Sequence, residues 1–440
     1  MPIRRFPILD DTLAMLAGGY AWLPAMLRRA SGAPAHTRVM GRPAVALRGP
    51  EAARFFYDER HVKRAGALPE PIRATLTGKG TVHSLDGPAH RARKAMFLSL
   101  LADPGHVADL VRQAAESWDE RAAGWPARPR VVLFDEASRA LTAGVCAWAG
   151  LPVKEVDDLA ADMVALVDGF GSAGARHWKA RRVRLRREAW LADLLAHDDG
   201  ASAGLLARHV TGHRDADGEP LNPRAAAVEM LNVIRPTVAV AWYVTFAAHA
   251  LHRWPENRAR LRDGDPAFAE AFAQEVRRFY PFAPYVGGRA VGDLTWRGEP
   301  IPEGAMILLD VYGQHHDEAR WERPYSFRPG RFLDAGVGRD DLIPQGGGDP
   351  HTGHRCPGEA VTVGLLRELS VRLARLRYSV PPQDLRIPLR RIPTLPRSGF
   401  VITGVRPSAV ETPDESAARV ANGNPGIALG HLGSADAQRH

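Results

Sequence analysis

The sequence is poor in cysteine, with only Cys146 and Cys356 among its 440 residues. Secreted folds built on disulfides use many more, so this shortage indicates a reducing compartment, and we expect a cytoplasmic protein. The N-terminus lacks a long apolar run behind its first charges, which argues against a signal peptide. Zinc-finger spacings and aromatic–basic RNA motifs are also missing, so nucleic acid is not an expected partner.

One stretch alone, residues 225–251, is apolar enough to suggest a membrane span. Glu229, Arg235 and Pro236 interrupt it near its centre, and each of them is costly in lipid. We therefore expect a long helix that crosses the protein core, with its charged residues facing a functional site.

Acidic residues are outnumbered by basic ones, which gives a formal net charge of +8 and a pI of about 9.8. Much of the excess lies in the basic run at residues 176–187. Such a run is either a solvated helix face or a basic collar that attracts carboxylate substrates. The sequence leaves both interpretations open.

Apolar residues recur at three- and four-residue spacing through most of the chain, which predicts a mainly α-helical fold. The predicted helices are 51–57, 105–123, 155–170, 223–253, 266–279 and 359–376. The predicted strands are 38–47, 294–296, 305–310 and 399–404. A repeated β–α alternation is missing, which excludes a doubly wound sheet. From about residue 407 the chain turns polar and loses its periodicity, so we expect one domain over residues 1–405 and a disordered tail over 406–440.

A glycine-rich loop that begins at Gln345 leads into Cys356, and an apolar helix follows from Glu359. Backbone N–H groups from a tight loop and from a helix N-terminus help to keep a thiol ionised. A buried structural cysteine would not need so many glycines before it, because each glycine costs conformational entropy. The pattern therefore predicts a reactive or metal-ligating thiolate.

Two further segments carry charges at spacings that favour pairing. Glu275 and Arg278 are three residues apart on one predicted helix face. Arg331, in the segment Phe-Arg-Pro-Gly-Arg-Phe, is a candidate third member of the same charge cluster.

The order Glu-x-x-Arg, Phe-x-Pro-x-Arg-Phe and a glycine-rich cysteine loop resembles the cytochrome P-450 superfamily over roughly residues 1–405. The resemblance implies a helical bundle with small β-sheets, in one haem-thiolate catalytic domain around a buried b-type haem. It implies that Cys356 ligates the haem iron, an arrangement that favours O–O cleavage. It also implies that Arg355 contacts a haem propionate and that the cluster of Glu275, Arg278 and Arg331 is structural.

Two departures from the common superfamily pattern are similar to the bacterial fatty-acid peroxygenase branch. Gln345 replaces the usual phenylalanine that opens the cysteine loop. In the long central helix, Arg235 and Pro236 stand where monooxygenases carry an acid–alcohol pair. This resemblance implies that the enzyme uses hydrogen peroxide to oxidise long-chain fatty acids, with no obligatory redox partner.

The chemistry of Arg235 agrees with that implication. A buried arginine needs a counter-ion, which a fatty-acid carboxylate supplies in bidentate geometry. The alternative partner, Glu229, lies six residues away on another helix face. Pro236 removes a backbone N–H and makes room beside the haem. The bound carboxylate is then the expected acid–base group, and oxidation at Cα or Cβ gives 2- or 3-hydroxy acids or, with loss of carbon dioxide, a terminal alkene.

His83 matches a distal position that is glutamine or histidine in the peroxygenases. It either exchanges a proton near the reacting oxygen, which the resemblance associates with decarboxylation, or only holds water; the sequence leaves both open. Thr77 stands where the branch often has a bulky apolar residue, which puts the position of His83 in doubt.

The resemblance implies three further haem-propionate contacts, His90, Lys94 and Arg289, although each is equally readable as an ordinary cation. Phe170 lies in a segment that matches a substrate channel, and it either presses on the acyl chain or is a plain core aromatic.

Two other functions compete with the peroxygenase hypothesis. A reductase-fed monooxygenase would lack its proton relay, because Arg235 and Pro236 replace the acid–alcohol pair. A non-catalytic haem sensor needs a second axial protein ligand or a tight channel, and the sequence requires neither.

Overall fold

The computed structural model describes residues 9–31, 34–152, 154–197, 204–334 and 336–406. The chain up to Arg406 groups into one compact unit. The predicted disordered tail lies outside the described residues apart from its first residue, Arg406, which ends a strand.

Helices dominate the described chain. They are α1 (Thr12–Gly18), α2 (Trp22–Arg29), α3 (Pro50–Phe56), α4 (Glu70–Ile72), α5 (Gly87–Leu101), α6 (Pro104–Ala123), α7 (Leu133–Ala149), α8 (Val156–Asp168), α9 (Ala175–Ala196), α10 (Leu205–Thr211), α11 (Pro223–Arg253), α12 (Glu256–Arg262), α13 (Pro266–Phe279), α14 (Val311–His315), α15 (Arg331–Asp334) and α16 (Glu359–Arg375). A π-helical turn, Arg73–Thr77, directly follows α4.

Short strands form three small sheets. The strands are β1 (Ala35–Val39), β2 (Arg42–Leu47), β3 (Val62–Lys63), β4 (Val131–Val132), β5 (Tyr285–Ala290), β6 (Leu294–Trp296), β7 (Glu299–Ile301), β8 (Met306–Asp310), β9 (Arg377–Ser379) and β10 (Val401–Arg406). Their orders are β1-β2-β8-β5-β3, β4-β10-β9 and β6-β7. Strands β2 and β8 pair in parallel, and the other pairs are antiparallel.

Caps at the helix starts explain why three long helices were predictable. Asp103, Asn222 and Asp265 each accept a backbone N–H from the first turn of the helix that they precede. Each is followed by proline at the first helical position, where the missing N–H costs nothing. The predicted single strand over residues 38–47 is wrong: it is a β1–β2 hairpin with a turn at Met40–Gly41, where both residues adopt positive φ.

Helix α11 is the central element, because it packs against α7, α8, α9, α13 and α16. It is long and apolar enough to cross a membrane by composition, but 94% of its most hydrophobic window is buried inside the protein. The prediction of a core helix is confirmed.

The basic run lies on α9, and most of its arginines are paired with acidic residues. The pairs are Arg176–Asp168, Arg181–Glu70, Arg184–Glu188, Arg186–Asp162 and Arg187–Asp162. These paired side chains therefore do not form a collar of free positive charge, because each one contacts a neighbouring carboxylate.

Candidate active site

The cysteine loop folds tightly over one aromatic ring. Gly346 and Gly348 adopt φ of +95° and +76°, which side chains rarely tolerate. A Cβ on Gly346 would lie 2.6 Å from the Tyr57 hydroxyl, and one on Gly348 would lie 2.6 Å from the Tyr57 Cβ. The glycines are therefore needed for both backbone conformation and close approach. The loop delivers Cys356 just before α16, where its backbone N–H donates to the Gln345 carbonyl at 2.9 Å.

The Gln345 side chain also contacts the thiol. Its Nε2 lies 3.6 Å from Cys356 Sγ and donates to Thr362 Oγ1 at 2.9 Å, while its Oε1 accepts from Arg277 at 2.9 Å. Burial raises the pKa of the Cys356 thiol. Coordination to a metal would deprotonate this thiol outright.

Two predicted propionate contacts have other partners. Lys94 donates to the Gly353 carbonyl at 2.7 Å and to the Arg355 carbonyl, so its ammonium fastens the cysteine loop to α5. The Arg355 guanidinium pairs with Glu359 at 2.6 Å, since the two are four residues apart at the start of α16. Both side chains therefore stabilise the cysteine loop and the start of α16 through contacts within the protein.

Two histidines and one arginine have buried side-chain nitrogens that suit a carboxylate ligand. His90 stacks on His354 with ring centroids 3.8 Å apart, and its Nδ1 has no hydrogen-bond partner in the described structure. On β5, the Arg289 Nε is buried and likewise lacks one there. Burial lowers the pKa of His90 to about 3 and that of His354 to about 4, so both rings are neutral N–H donors. His354 was missed from the sequence, although it stands two residues before the cysteine.

Arg235 is the most unusual residue of α11. It is 5% exposed, and its Nε has no partner among the described residues. The one hydrogen bond of its side chain to a described residue is a 3.5 Å contact with the Asn232 amide oxygen. Burial, followed by repulsion from Arg184, lowers the pKa of Arg235 to about 9. Pro236 is exposed although every other residue from 226 to 248 is buried, so it faces an open cleft. A buried cation beside a cleft is a strong attractor for an anion.

As predicted, Glu229 does not pair with Arg235. Its carboxylate accepts from Arg93 at 2.8 Å, from the Val82 backbone N–H at 3.0 Å and from Asn232 at 2.9 Å. Arg93 also pairs with Asp215. Sequence reasoning missed Arg93, because its partners Glu229 and Asp215 are distant in the chain. It also missed Asn232, whose partner Glu229 is only three residues away.

Of the remaining site residues considered, His83 lies near Arg235 and Thr77 contacts Asn232. Burial, followed by repulsion from Arg235, lowers the pKa of His83 to about 3, so its imidazole is neutral. Thr77 is buried, and its carbonyl accepts from Asn232 at 3.0 Å. Phe170 is half-buried in the turn after α8. The roles of His83 in proton exchange and of Phe170 against the acyl chain stay predictions.

The predicted charge cluster is confirmed. Glu275 pairs with Arg278 at 2.7 Å and with Arg331 at 3.1 Å, and both Glu275 and Arg278 are fully buried. The cluster fastens α13 to the segment around Ser326, whose carbonyl accepts from both arginines. It lies apart from Arg235 and is structural.

Comparison with known proteins identifies the scaffold. The sequence profile described as Cytochrome P450 matches residues 267–362. The solved structure of cytochrome P450SP alpha (CYP152B1) in complex with (R)-ibuprophen is 40% identical, with 90% of this chain and 99% of that chain covered and a TM-score of 0.85. The chain belongs to the cytochrome P450 family, in its CYP152 branch.

Two further CYP152-type structures are similar over their whole length. Cytochrome P450EX alpha (CYP152N1) with myristic acid is 34% identical, covering 92% of this chain and 100% of that chain, with a TM-score of 0.87. A variant of cytochrome P450 OleT in complex with arachidonic acid is also 34% identical, covering 94% and 100%, with a TM-score of 0.88. Membership makes this P450 an oxidoreductase of the fatty-acid peroxygenase branch.

Curated relatives match over less of their length. Cytochrome P450 4A7 of Oryctolagus cuniculus is 27% identical over 33% of this chain and 31% of its own. The steroid 17-alpha-hydroxylase/17,20 lyase of Oryzias latipes is 29% identical over 40% and 36%. The match thus spans about a third of the length of these relatives.

The cofactor of this P450 branch is haem b ligated by cysteine, and the residues present fit it. Cys356 supplies the sulfur at the end of its glycine loop, and His90 and Arg289 offer buried nitrogens suited to propionate carboxylates. When bound, a cysteine-ligated haem would supply the redox centre, an arrangement that favours cleavage of an O–O bond.

Proposed function

We propose that this P450 is a peroxygenase that uses hydrogen peroxide to oxidise long-chain fatty acids at Cα or Cβ. The observation that carries the proposal is Arg235, a buried arginine that has no carboxylate partner among the described residues and lies beside the cleft at Pro236. A substrate carboxylate bound in bidentate geometry satisfies this cation. That bond fixes the head of the acid, so the first carbons after the carboxylate are the ones held for oxidation.

The same carboxylate serves as the acid–base group. Peroxide has to lose one proton and gain one on its leaving oxygen, which requires a group that exchanges protons within hydrogen-bond reach. Glu229, the nearest acid along α11, is engaged by three donors, and the Thr237 hydroxyl donates to the Val233 carbonyl at 2.9 Å within the helix. The substrate carboxylate, held by Arg235, is therefore our candidate for the acid–base group, and His83 is the other side chain near Arg235 that exchanges protons.

Two overall reactions satisfy the atom balance. In hydroxylation, peroxide inserts one oxygen atom into a C–H bond and leaves one water. In decarboxylation, the acid and one peroxide give a terminal alkene, carbon dioxide and two waters. His83 is the candidate for biasing the two outcomes, since its neutral imidazole can either donate or accept a proton in the same cleft.

The partners follow from the same site. The titles of the two structures above name myristic acid and arachidonic acid, which supports a long-chain acid for this chain as well. We expect no redox partner, because peroxide supplies both the oxygen atom and the oxidising equivalents. The low cysteine content supports a cytoplasmic location.

The test is a turnover assay with haem-loaded protein, myristic acid and hydrogen peroxide, without reductase, with products identified by mass spectrometry. Arg235→Leu and wild type are each compared on myristic acid and on its methyl ester. If Arg235 binds the carboxylate, the substitution lowers turnover of the acid at least about a hundredfold, the size expected for a broken buried charge pair. Turnover of the ester, which has no carboxylate, should be low and equal in both proteins.

Other results identify the competing functions. Products that form only when a reductase supplies electrons contradict the proposal and indicate a monooxygenase. A haem spectrum that does not respond to the acid, together with no product under either condition, indicates a sensor or carrier.

A further inference from the structure

A second cavity of about 660 Å³ lies beside α11, between α9, residues 70–80 and residues 215–225. Its lining contains five basic and five acidic side chains, so its formal charge is zero. Since these charges cancel and apolar side chains such as Leu185 and Val228 also line the cavity, it gives no net attraction to a fatty-acid anion or to a cation, and it suits a neutral molecule that both donates and accepts hydrogen bonds.

The inner wall of the cavity is a contact of three residues, Gly78, Arg184 and Val228. A Cβ on Gly78 would lie 2.5 Å from an Arg184 guanidinium nitrogen and 2.6 Å from a Val228 methyl carbon. Since the three residues pack this closely without a side chain on Gly78, they leave no gap between them on the side of the cavity formed by α11. We call this contact the inner gate.

Arg184 presents a free donor at this gate. It is 2% exposed; its Nε pairs with Glu188 at 2.6 Å and its Nη1 donates to the Leu76 carbonyl at 2.7 Å. Its Nη2, the nitrogen nearest Gly78, has no hydrogen-bond partner in the described structure. A buried unpartnered N–H that lines a cavity is a binding group for a small hydroxylic molecule.

One layer of residues separates the inner gate from the Arg235 cleft. Val228 and Asn232 are one turn apart on α11, and Asn232 contacts Arg235. On the other side, Thr77 precedes Gly78 and its carbonyl accepts from Asn232. The Arg184 charge lowers the pKa of Arg235, in agreement with this proximity.

We propose that this cavity is the entry for hydrogen peroxide and that Gly78, Arg184 and Val228 gate it, separately from the channel that the acyl chain fills. The inference rests on the proposed function. In the proposed function the carboxylate of the bound acid occupies Arg235, so a separate route lets the second substrate arrive after it. Peroxide is small, neutral and both donor and acceptor, which matches the lining.

The test narrows and widens the inner gate at Val228. Haem-loaded wild type, Val228→Phe and Val228→Ala are mixed with cyanide, a small iron ligand, and its association rate is followed by the haem spectrum with and without saturating myristic acid. Val244→Phe, a buried valine more than four turns further along α11, is the control for overpacking. With the acid bound, Val228→Phe should lower the rate at least tenfold, Val228→Ala should raise it, and Val244→Phe should leave it within twofold.

The KM for peroxide should rise in Val228→Phe while the KM for myristic acid stays within twofold. Cyanide rates that do not respond to either Val228 variant with the acid bound overturn the proposed entry, and so does a rate that falls equally with and without the acid. If Val228→Phe does not fold, Val228→Ala alone decides between these results. The cyanide measurement needs no turnover, so a protein that lacks peroxide-driven products but shows the rate changes refutes the proposed function and keeps the gated entry.

Discussion

Replacing Arg235 by methionine should make the fatty-acid-free protein more stable. A pKa of about 9 in place of the ordinary arginine value means that the folded state holds the charged side chain at a cost of about 5 kcal/mol, at 1.36 kcal/mol for each pKa unit. Methionine fills a similar elongated space without the charge. Because its packing will be imperfect and the Asn232 hydrogen bond is lost, we expect a net gain of about 2 kcal/mol.

The measurement is urea unfolding of the haem-loaded protein at pH 7, followed by far-UV circular dichroism and by the haem absorption. Arg93→Met is the matched control, since it removes a buried arginine that has carboxylate partners in Glu229 and Asp215. That change leaves Glu229 buried and uncompensated, and should cost about 3–5 kcal/mol. Saturating myristic acid should stabilise wild type by mass action and leave Arg235→Met unaffected.

One outcome refutes this reasoning. If Arg235→Met destabilises the acid-free protein as Arg93→Met does, then Arg235 has a partner within the protein. The electrostatic demand for a substrate carboxylate then disappears, and with it the main support for the proposed function.

Three further predictions concern the thiol, the charge cluster and the distal histidine. Gln345→Leu removes an N–H that contacts the sulfur, so the sulfur should donate more electron density to the iron. The haem reduction potential should then fall by roughly 40 mV, which is equivalent to about 1 kcal/mol for one hydrogen bond. An unchanged potential in a spectroelectrochemical titration contradicts this. Glu275→Gln should lower the free energy of unfolding by about 3–5 kcal/mol, because it breaks a buried ion pair. The control Glu322→Gln, in an exposed ion pair, should lower it by at most about 1 kcal/mol. Equal urea midpoints for the two variants would exclude a structural role for Glu275. The pKa of His83 is lowered to about 3, so the ring stays neutral above that pH and the ratio of alkene to hydroxy acid should be flat from pH 5 to 8; a sigmoidal ratio in that window would show that the ring titrates there.

The local patterns of the sequence were sufficient for elements with one apolar face. Helices α6, α13 and α16 were predicted to within a residue or two, because caps and amphipathic spacing are local properties. Helix α7 was not predicted from the sequence, although most of its residues are buried. Helix α5 was missed because it buries His90, Arg93 and Lys94, whereas polar side chains are expected on the surface.

The candidate site divides in the same way. The sequence by itself determined that Cys356 follows a glycine loop, that Arg235 and Pro236 interrupt the core helix and that Glu229 lies on another face from Arg235, since motif order and helical spacing are properties of the chain. Only the tertiary structure decided the electrostatics. Arg93 arrives from α5 to occupy Glu229, Glu359 takes Arg355, and Arg235 keeps no carboxylate among the described residues. Which cation is left for a substrate depends on pairings between residues far apart in sequence, and no local pattern carries that information.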